Sequence, residues 1–288
     1  MLPTFVIGLR EGLEASLIVG IVAAFLTRNG HSRDVWKMWV GVGIGVALCT
    51  GAAIALRIAE RRLPQRQQEG LETIIGLIAV LFVSWMIVWM RNHAHELKGD
   101  IEAHAAAALR SGSAGALIGM AFLAVLREGL ETAVFLLALL QSSNNARTTL
   151  GGALLGVAVA CAIGYLIYRG GIRINMGRFF KITGFVLVLV AAGLFSNAMH
   201  TAWEAGWLHV LQTQALNLEW LVDPGSVRAA LITGMFGLQP RPTQAEVIAW
   251  LAYAIPFGIL VATSRRPKPK PTEPARTPAA LPNSIVTV

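Results

Sequence analysis

Phe5-Val-Ile-Gly-Leu-Arg-Glu-Gly-Leu-Glu14 and Phe122-Leu-Ala-Val-Leu-Arg-Glu-Gly-Leu-Glu131 agree at seven of ten positions, with a constant offset of 117. Each lies within an otherwise apolar run of helical length. A charge at mid-span in a bilayer is disfavoured by roughly 2.5 to 3.5 kcal/mol even on the most lenient insertion scale, so three charges in each of two such helices need a reason.

The spacing supplies one. Glu11 and Glu14 are i and i+3, as are Glu128 and Glu131, so each pair shares a helix face with Cβ atoms roughly 5 to 6 Å apart. Two carboxylates at that spacing can hold a cation. Arg10 stands i, i+4 to Glu14, and Arg127 to Glu131, placed to compensate an acid once the ion has left. Gly12 and Gly129 leave room for a neighbouring backbone. A structural cluster of salt bridges needs only one Arg and one Glu per helix. The second Glu in each copy is surplus and favours ion binding.

The surroundings set the class. The 288 residues are 55% hydrophobic and 14% charged, far more apolar than a soluble domain of that size. Spans are expected at about Leu2 to Leu26, Met38 to Leu56, Leu71 to Met90, Ala114 to Leu140, Leu150 to Tyr168, Ile182 to Met199 and Val247 to Ser264, each long enough for a hydrocarbon core of roughly 30 Å. The expected fold is all-α, a polytopic membrane protein with seven transmembrane helices. The first apolar stretch carries Arg10, Glu11 and Glu14 and follows no basic region, so it reads as a span and not as a removable signal. Cys49 and Cys161 fall inside spans without metal-binding spacing and read as small core residues. The net charge of +8 sits mostly in loops and tail, which points to topology and lipid rather than to nucleic acid.

Most Lys and Arg, including Arg28, Arg33, Lys37, Arg169, Arg173, Arg178 and Lys181, fall on one side if the N-terminus faces outside. The positive-inside rule then puts the tail in the cytoplasm of a cell bounded by an inner membrane. Only the loop with Arg57, Arg61, Arg62 and Arg66 dissents. The tail at 265–288 is rich in Pro and basic residues and reads as disordered. The loop at 201–245 carries Trp203, Trp207 and Trp220, suited to the membrane interface, and is expected to hold short amphipathic helices.

Three crossings separate the two copies, so spans 1 and 4 run in opposite directions. This is an inverted three-plus-three repeat plus one extra helix. Repeat 1 covers about 1–92, repeat 2 about 114–200 and span 7 about 247–264, within a permease domain at 1–264. In such plans the substrate site lies where the repeats meet near the bilayer centre. Glu11 is nine residues past the start of span 1 and Glu128 fourteen past the start of span 4, roughly 14 and 21 Å deep. Carboxylates without thiolates suit hard or borderline cations such as Mg, Mn, Ca or iron.

The repeated Arg-Glu-Gly-Leu-Glu, the expected spans and the N-out arrangement resemble the oxidase-dependent iron permease family, which includes fungal high-affinity iron permeases and bacterial EfeU-type permeases. The resemblance extends to about Ser264. It implies that Glu11, Glu14, Glu128 and Glu131 bind iron along the translocation path, with Arg10 and Arg127 completing each motif. It further implies that iron is cargo and no cofactor is needed, that the chain is not an enzyme, and that a separate oxidase, peroxidase or periplasmic iron-binding partner works with it.

A third near-copy, Glu69-Gly-Leu-Glu72, opens span 3 with Gln68 in place of arginine. It reads either as an outer-mouth site that passes cations inward or as acids complementing a helix N-terminus. Met199, His200 and Glu204 read as a loose outer ligand group or as interface packing. His93, His95 and His104 share a cytoplasmic segment with Glu96, Asp100 and Glu102, but their spacing does not unite them and a solvated face is expected. Two alternatives stay open: a carrier for another divalent cation, and a membrane-embedded carboxylate enzyme. Against the enzyme, no Ser/His pair, His-Glu-x-x-His or Gly-rich phosphate loop is present.

Overall fold

The computed structural model of the chain describes residues 1–28, 30–60, 63–93, 114–141, 145–168, 176–220, 233, 236–237 and 239–263. Seven helices account for most of them: α1 Leu2–Arg28, α2 Asp34–Glu60, α3 Gln65–His93, α4 Ala114–Gln141, α5 Ala146–Tyr168, α6 Met176–Glu204 and α7 Gln244–Ala262. No strand occurs among the described residues, only an isolated bridge between Gln214 and Thr243. Asp34–Glu60, Gln65–Met90, Ala146–Ile167, Gly177–Glu204 and Gln244–Ala262 are long and apolar enough to cross a membrane. The helices that carry the repeated motif, α1 and α4, have comparable lengths of 27 and 28 residues.

Apolar residues on all sides of a helix suit a lipid solvent, and α2 shows it: Trp39, Ile44, Leu48, Ile54 and Ile58 are exposed, and few of its residues are buried. The interior divides in two. Val19, Val22 and Leu26 of α1 cluster with Met38 of α2 and with Leu117, Ala121 and Val125 of α4. A larger cluster joins α3, α6 and α7, with Ile7 of α1 and Phe135 of α4 reaching into it. The late part of α1 thus meets the early part of α4, and the two helices run antiparallel.

Close approach follows the small residues, as it must where lipid gives helices no hydrophobic drive to associate. A Cβ added to Gly12 would lie 2.9 Å from the Cβ of Ala160 on α5, and one on Gly129 would lie 2.7 Å from Sγ of Cys49 on α2. Each motif glycine therefore marks where a neighbouring helix presses on the motif, α5 on α1 and α2 on α4. Cys49 is buried as expected; Cys161 is exposed and not a core residue, with Oγ of Ser16 on α1 donating to its Sγ at 3.9 Å.

Thr243 caps α7, its side chain accepting from the backbone N–H of Glu246. Just before it, the chain dips back into the bundle at Gly237, whose backbone touches Gly193 of α6, and Trp250 Nε1 donates to the carbonyl of Phe236 at 2.7 Å. Residues 207–220 form turns and bends, whereas Thr233 and Phe236 are helical, with the N–H of Gly237 donating to the carbonyl of Thr233 at 3.0 Å; 221–232 lie outside the described residues. The segment with His95, Glu96, Asp100, Glu102 and His104 and the tail at 265–288 also lie outside them. His93 is the last residue of α3.

Candidate metal centre

Antiparallel packing of α1 on α4 brings the two motif copies together. Carboxylate oxygens of Glu11, Glu128 and Glu131 all lie within 4.8 Å of one another. Glu11 is 1% exposed and Glu128 5%. Both oxygens of Glu11 and Oε2 of Glu128 are buried without a hydrogen-bond partner. Buried carboxylates normally collect donors or a counter-charge, since an unpartnered one loses its hydration for nothing. At an effective dielectric near 20, two such charges at that separation repel by on the order of 3 kcal/mol. The arrangement is unfavourable when empty and favourable around a cation.

Glu14, the fourth predicted ligand, is not one of these three but lies near enough to Glu128 and Glu131 to interact with their charges. Its Oε1 faces Nε of Arg10 at 3.4 Å, without hydrogen-bond geometry, while Nη1 of Arg10 lies 3.9 Å from Oε1 of Glu11. In the other copy Arg127 Nε reaches Glu131 Oε1 at 3.1 Å and Glu128 Oε1 at 3.9 Å. The expected i, i+4 compensation is present in both helices. The two arginines are nevertheless unequal: the Arg10 side chain is 2% exposed and that of Arg127 51%. When all six groups are ionised, four carboxylates and two guanidiniums leave two negative charges, which one divalent cation balances.

Three residues at the site were not foreseen from sequence. Met90 accepts a hydrogen bond through Sδ from Nη2 of Arg10. The ring of Phe180 lies 5.9 Å from the Arg10 guanidinium, and the ring of Trp89 lies 5.5 Å from that of Arg127. None carries a local sequence signal, because each reaches the motif through the fold alone.

Glu69 and Glu72 do not join the central group. Glu69 faces Glu204 and His200, and Glu72 faces Glu60 and Gln68. His200 ties this region together: Nδ1 lies 2.9 Å from Oε1 of Glu246 and Nε2 3.5 Å from Oε1 of Glu204. Met199 is half-buried on the same helix as His200, α6. Both oxygens of Glu60, which is fully buried, accept from Nη1 of Arg57 at 2.9 and 3.0 Å, and Oε1 also accepts from Nε2 of Gln141 at 3.1 Å.

Long apolar helices around a group of buried carboxylates suit a multi-pass membrane protein that handles a cation. The sequence matches the Iron permease FTR1 family over residues 1–266, and the chain belongs to that family. It is 41% identical over 258 residues to a ferrous iron permease EfeU of Escherichia coli O6:H1, covering 89% of this chain and 93% of that protein. A ferrous iron permease EfeU of Yersinia pestis is 38% identical over 262 residues, 90% of this chain and 93% of that one. No solved structure matches the chain. Iron transport across the membrane is its function, with iron as cargo.

Proposed function

We propose that the chain carries iron inward across the cytoplasmic membrane by way of Glu11, Glu14, Glu128 and Glu131, with Arg10 and Arg127 as counter-charges. The observation that carries this reading is the meeting of Glu11, Glu128 and Glu131 within 4.8 Å, with buried oxygens that have no donor. The relatives named above are ferrous iron permeases, which favours the divalent ion. The charge balance at the site favours it too.

The path we assign begins at the outer mouth with Glu69 and Glu72, where His200, Glu204, Glu246 and Glu60 add ligand atoms. It ends on the basic cytoplasmic face. Residues 1–264 form one permease domain with seven spans, N-terminus outside, repeat 1 at about 1–92, repeat 2 at about 114–200, an outer loop at 201–245 and span 7 at 247–264; 265–288 is a cytoplasmic tail. At 1.5 Å per residue α1 and α4 are each about 40 Å long, enough for the bilayer. The inverted repeat is supported by the packing: α1 is antiparallel to α4, and α1 packs on α5 as α4 packs on α2. Supply of iron by a separate oxidase, peroxidase or periplasmic iron-binding protein follows from the family resemblance.

Radioactive iron uptake by cells expressing Glu14→Ala or Glu131→Ala tests the assignment. Uptake should fall to background, and wild-type uptake in well-expressed variants would falsify it. An all-oxygen donor set also suits Mn, so a carrier of another divalent cation is the second reading. Competition in vesicles decides: iron specificity predicts little inhibition by excess Mg, whereas a general divalent carrier is inhibited.

A further inference from the structure

The carboxylate group between α1 and α4 has unlike surroundings toward the two ends of the bundle. Because the helices are antiparallel, Ile7, four residues before Glu11, and Phe135, four residues after Glu131, each stand one turn from the group toward the same end. They are 3% and 0% exposed and share one apolar cluster with Val83 and Met86 of α3 and Leu187 and Ala191 of α6. Farther along α4 in that direction, Leu137, Ala138 and Leu139 are buried as well. Only at Gln141, about 15 Å beyond Glu131, does α4 reach the acids of the mouth, through the bond from Gln141 to Glu60.

The other direction differs. Arg127, one turn from Glu131, has a side chain 51% exposed near the middle of the 28 residues of α4. Leu123 and Leu130 are exposed on the same stripe. An arginine half uncovered at the centre of a bilayer-length helix is costly against lipid and tolerable where water reaches it. The helix ends lie on this side. Among the described residues, α3 ends at His93, four beyond Trp89, whose ring faces Arg127, and α6 begins at Met176, four before Phe180, whose ring faces Arg10. The carbonyl of Ala262, the last residue of α7, accepts from Nζ of Lys181 at 3.2 Å, one residue along from Phe180. All three helices end about one turn past the motif.

We infer that Ile7 and Phe135 seal the iron path between the outer acids and the central carboxylates, and that water reaches the site past Arg127. This rests on the iron-permease reading above. Packed apolar side chains stop an ion by excluding its water, so iron from the mouth waits until Phe135 moves aside, while release toward the cytoplasm meets no such barrier. A site closed on one side and wet on the other is one of the two states that alternating access requires.

The test uses the full chain with Cys49→Ser, Cys161→Ser and Leu123→Cys, and a charged, membrane-impermeant thiosulfonate reagent, without iron. The new cysteine should be labelled from the cytoplasmic face in inverted vesicles and protected from the outside in whole cells. Phe135→Ala should make it react from the outside several-fold faster. Ile7→Ala, a smaller change that tests the seal if Phe135→Ala does not fold, should do the same, and Phe135→Leu, which keeps apolar bulk, should stay protected. Loss of packing alone would lower the yield of folded protein without opening the outer face. No labelling of the parent from the cytoplasmic face, labelling of the parent from the outside, or continued outside protection in the folded alanine variants overturns the inference. Because labelling is read without iron, it is separable from uptake: the expected pattern in a chain that takes up no iron removes the iron reading and leaves the seal, whereas normal uptake with the opposite pattern removes the seal alone.

Discussion

The carboxylates of Glu11 and Glu128, 117 residues apart in the chain, meet in the interior between α1 and α4, where neither oxygen of Glu11 finds a hydrogen-bond donor. Two like charges held at that distance make the metal-free site a liability to the fold and an asset once a cation arrives. Opposite effects on stability and transport follow.

Replacing Glu128 by Gln removes one of the repelling charges and adds a donor. Metal-free Glu128→Gln protein should be more stable by on the order of 2 kcal/mol, read as a higher melting temperature in detergent, while iron uptake is lost. Iron should raise the melting temperature of the wild type, by about 2.7 kcal/mol in stability at a hundredfold excess over Kd, and leave the variant unmoved. A variant that is both destabilised and transport-competent contradicts this account of the site.

The two motif arginines should respond unequally to removal. Arg10→Leu leaves Glu11 and Glu14 buried without their counter-charge, a loss of roughly 3 to 5 kcal/mol. Arg127 is half exposed and its loss should cost about 1 kcal/mol or less. Thermal unfolding of the two purified variants side by side makes the comparison, and equal destabilisation argues against the burial difference.

Gly12→Leu should destabilise the protein by about 1 to 3 kcal/mol by pushing α5 away from the motif. Gly20 lies on the same helix, and a Cβ there meets nothing within 4 Å. Gly20→Leu is the control and should leave stability and uptake near wild type. If the two substitutions behave alike, the close seam between α1 and α5 is not what fixes the motif.

His200→Ala should raise the iron concentration needed for half-maximal uptake several-fold while the maximal rate changes little, because His200 joins the outer acids and not the central group. Uptake kinetics over a range of iron concentrations separate the two parameters. A loss of maximal rate with unchanged half-saturation contradicts the assignment of Glu69 and its neighbours to the mouth.

The charges at Arg10, Glu11 and Glu14 and their copies were legible in the sequence because their cost in a bilayer makes them conspicuous. Their i, i+3 and i, i+4 spacings fixed which side chains share a face. Helix ends were less visible. α3 begins at Gln65 and not at Leu71, since the polar stretch before Leu71 continues the helix beyond the apolar run. Partners across the fold left no local trace at all: Met90 is 80 residues from Arg10, and Glu246 is 46 from His200. The same holds for Glu60, whose burial depends on Arg57 and on Gln141 of α4. Periodicity reports which face a residue occupies, and only tertiary packing decides what that face meets.

The glycine seam gives α1 and α5 backbone-close contact, whereas α1 and α4 face each other through groups of like charge. Cation binding and the approach of α1 to α4 are therefore a single linked equilibrium: whatever tightens that interface raises affinity for the ion, and the ion tightens the interface in equal measure. On the proposed site, the cargo is also part of what holds the two motif helices together.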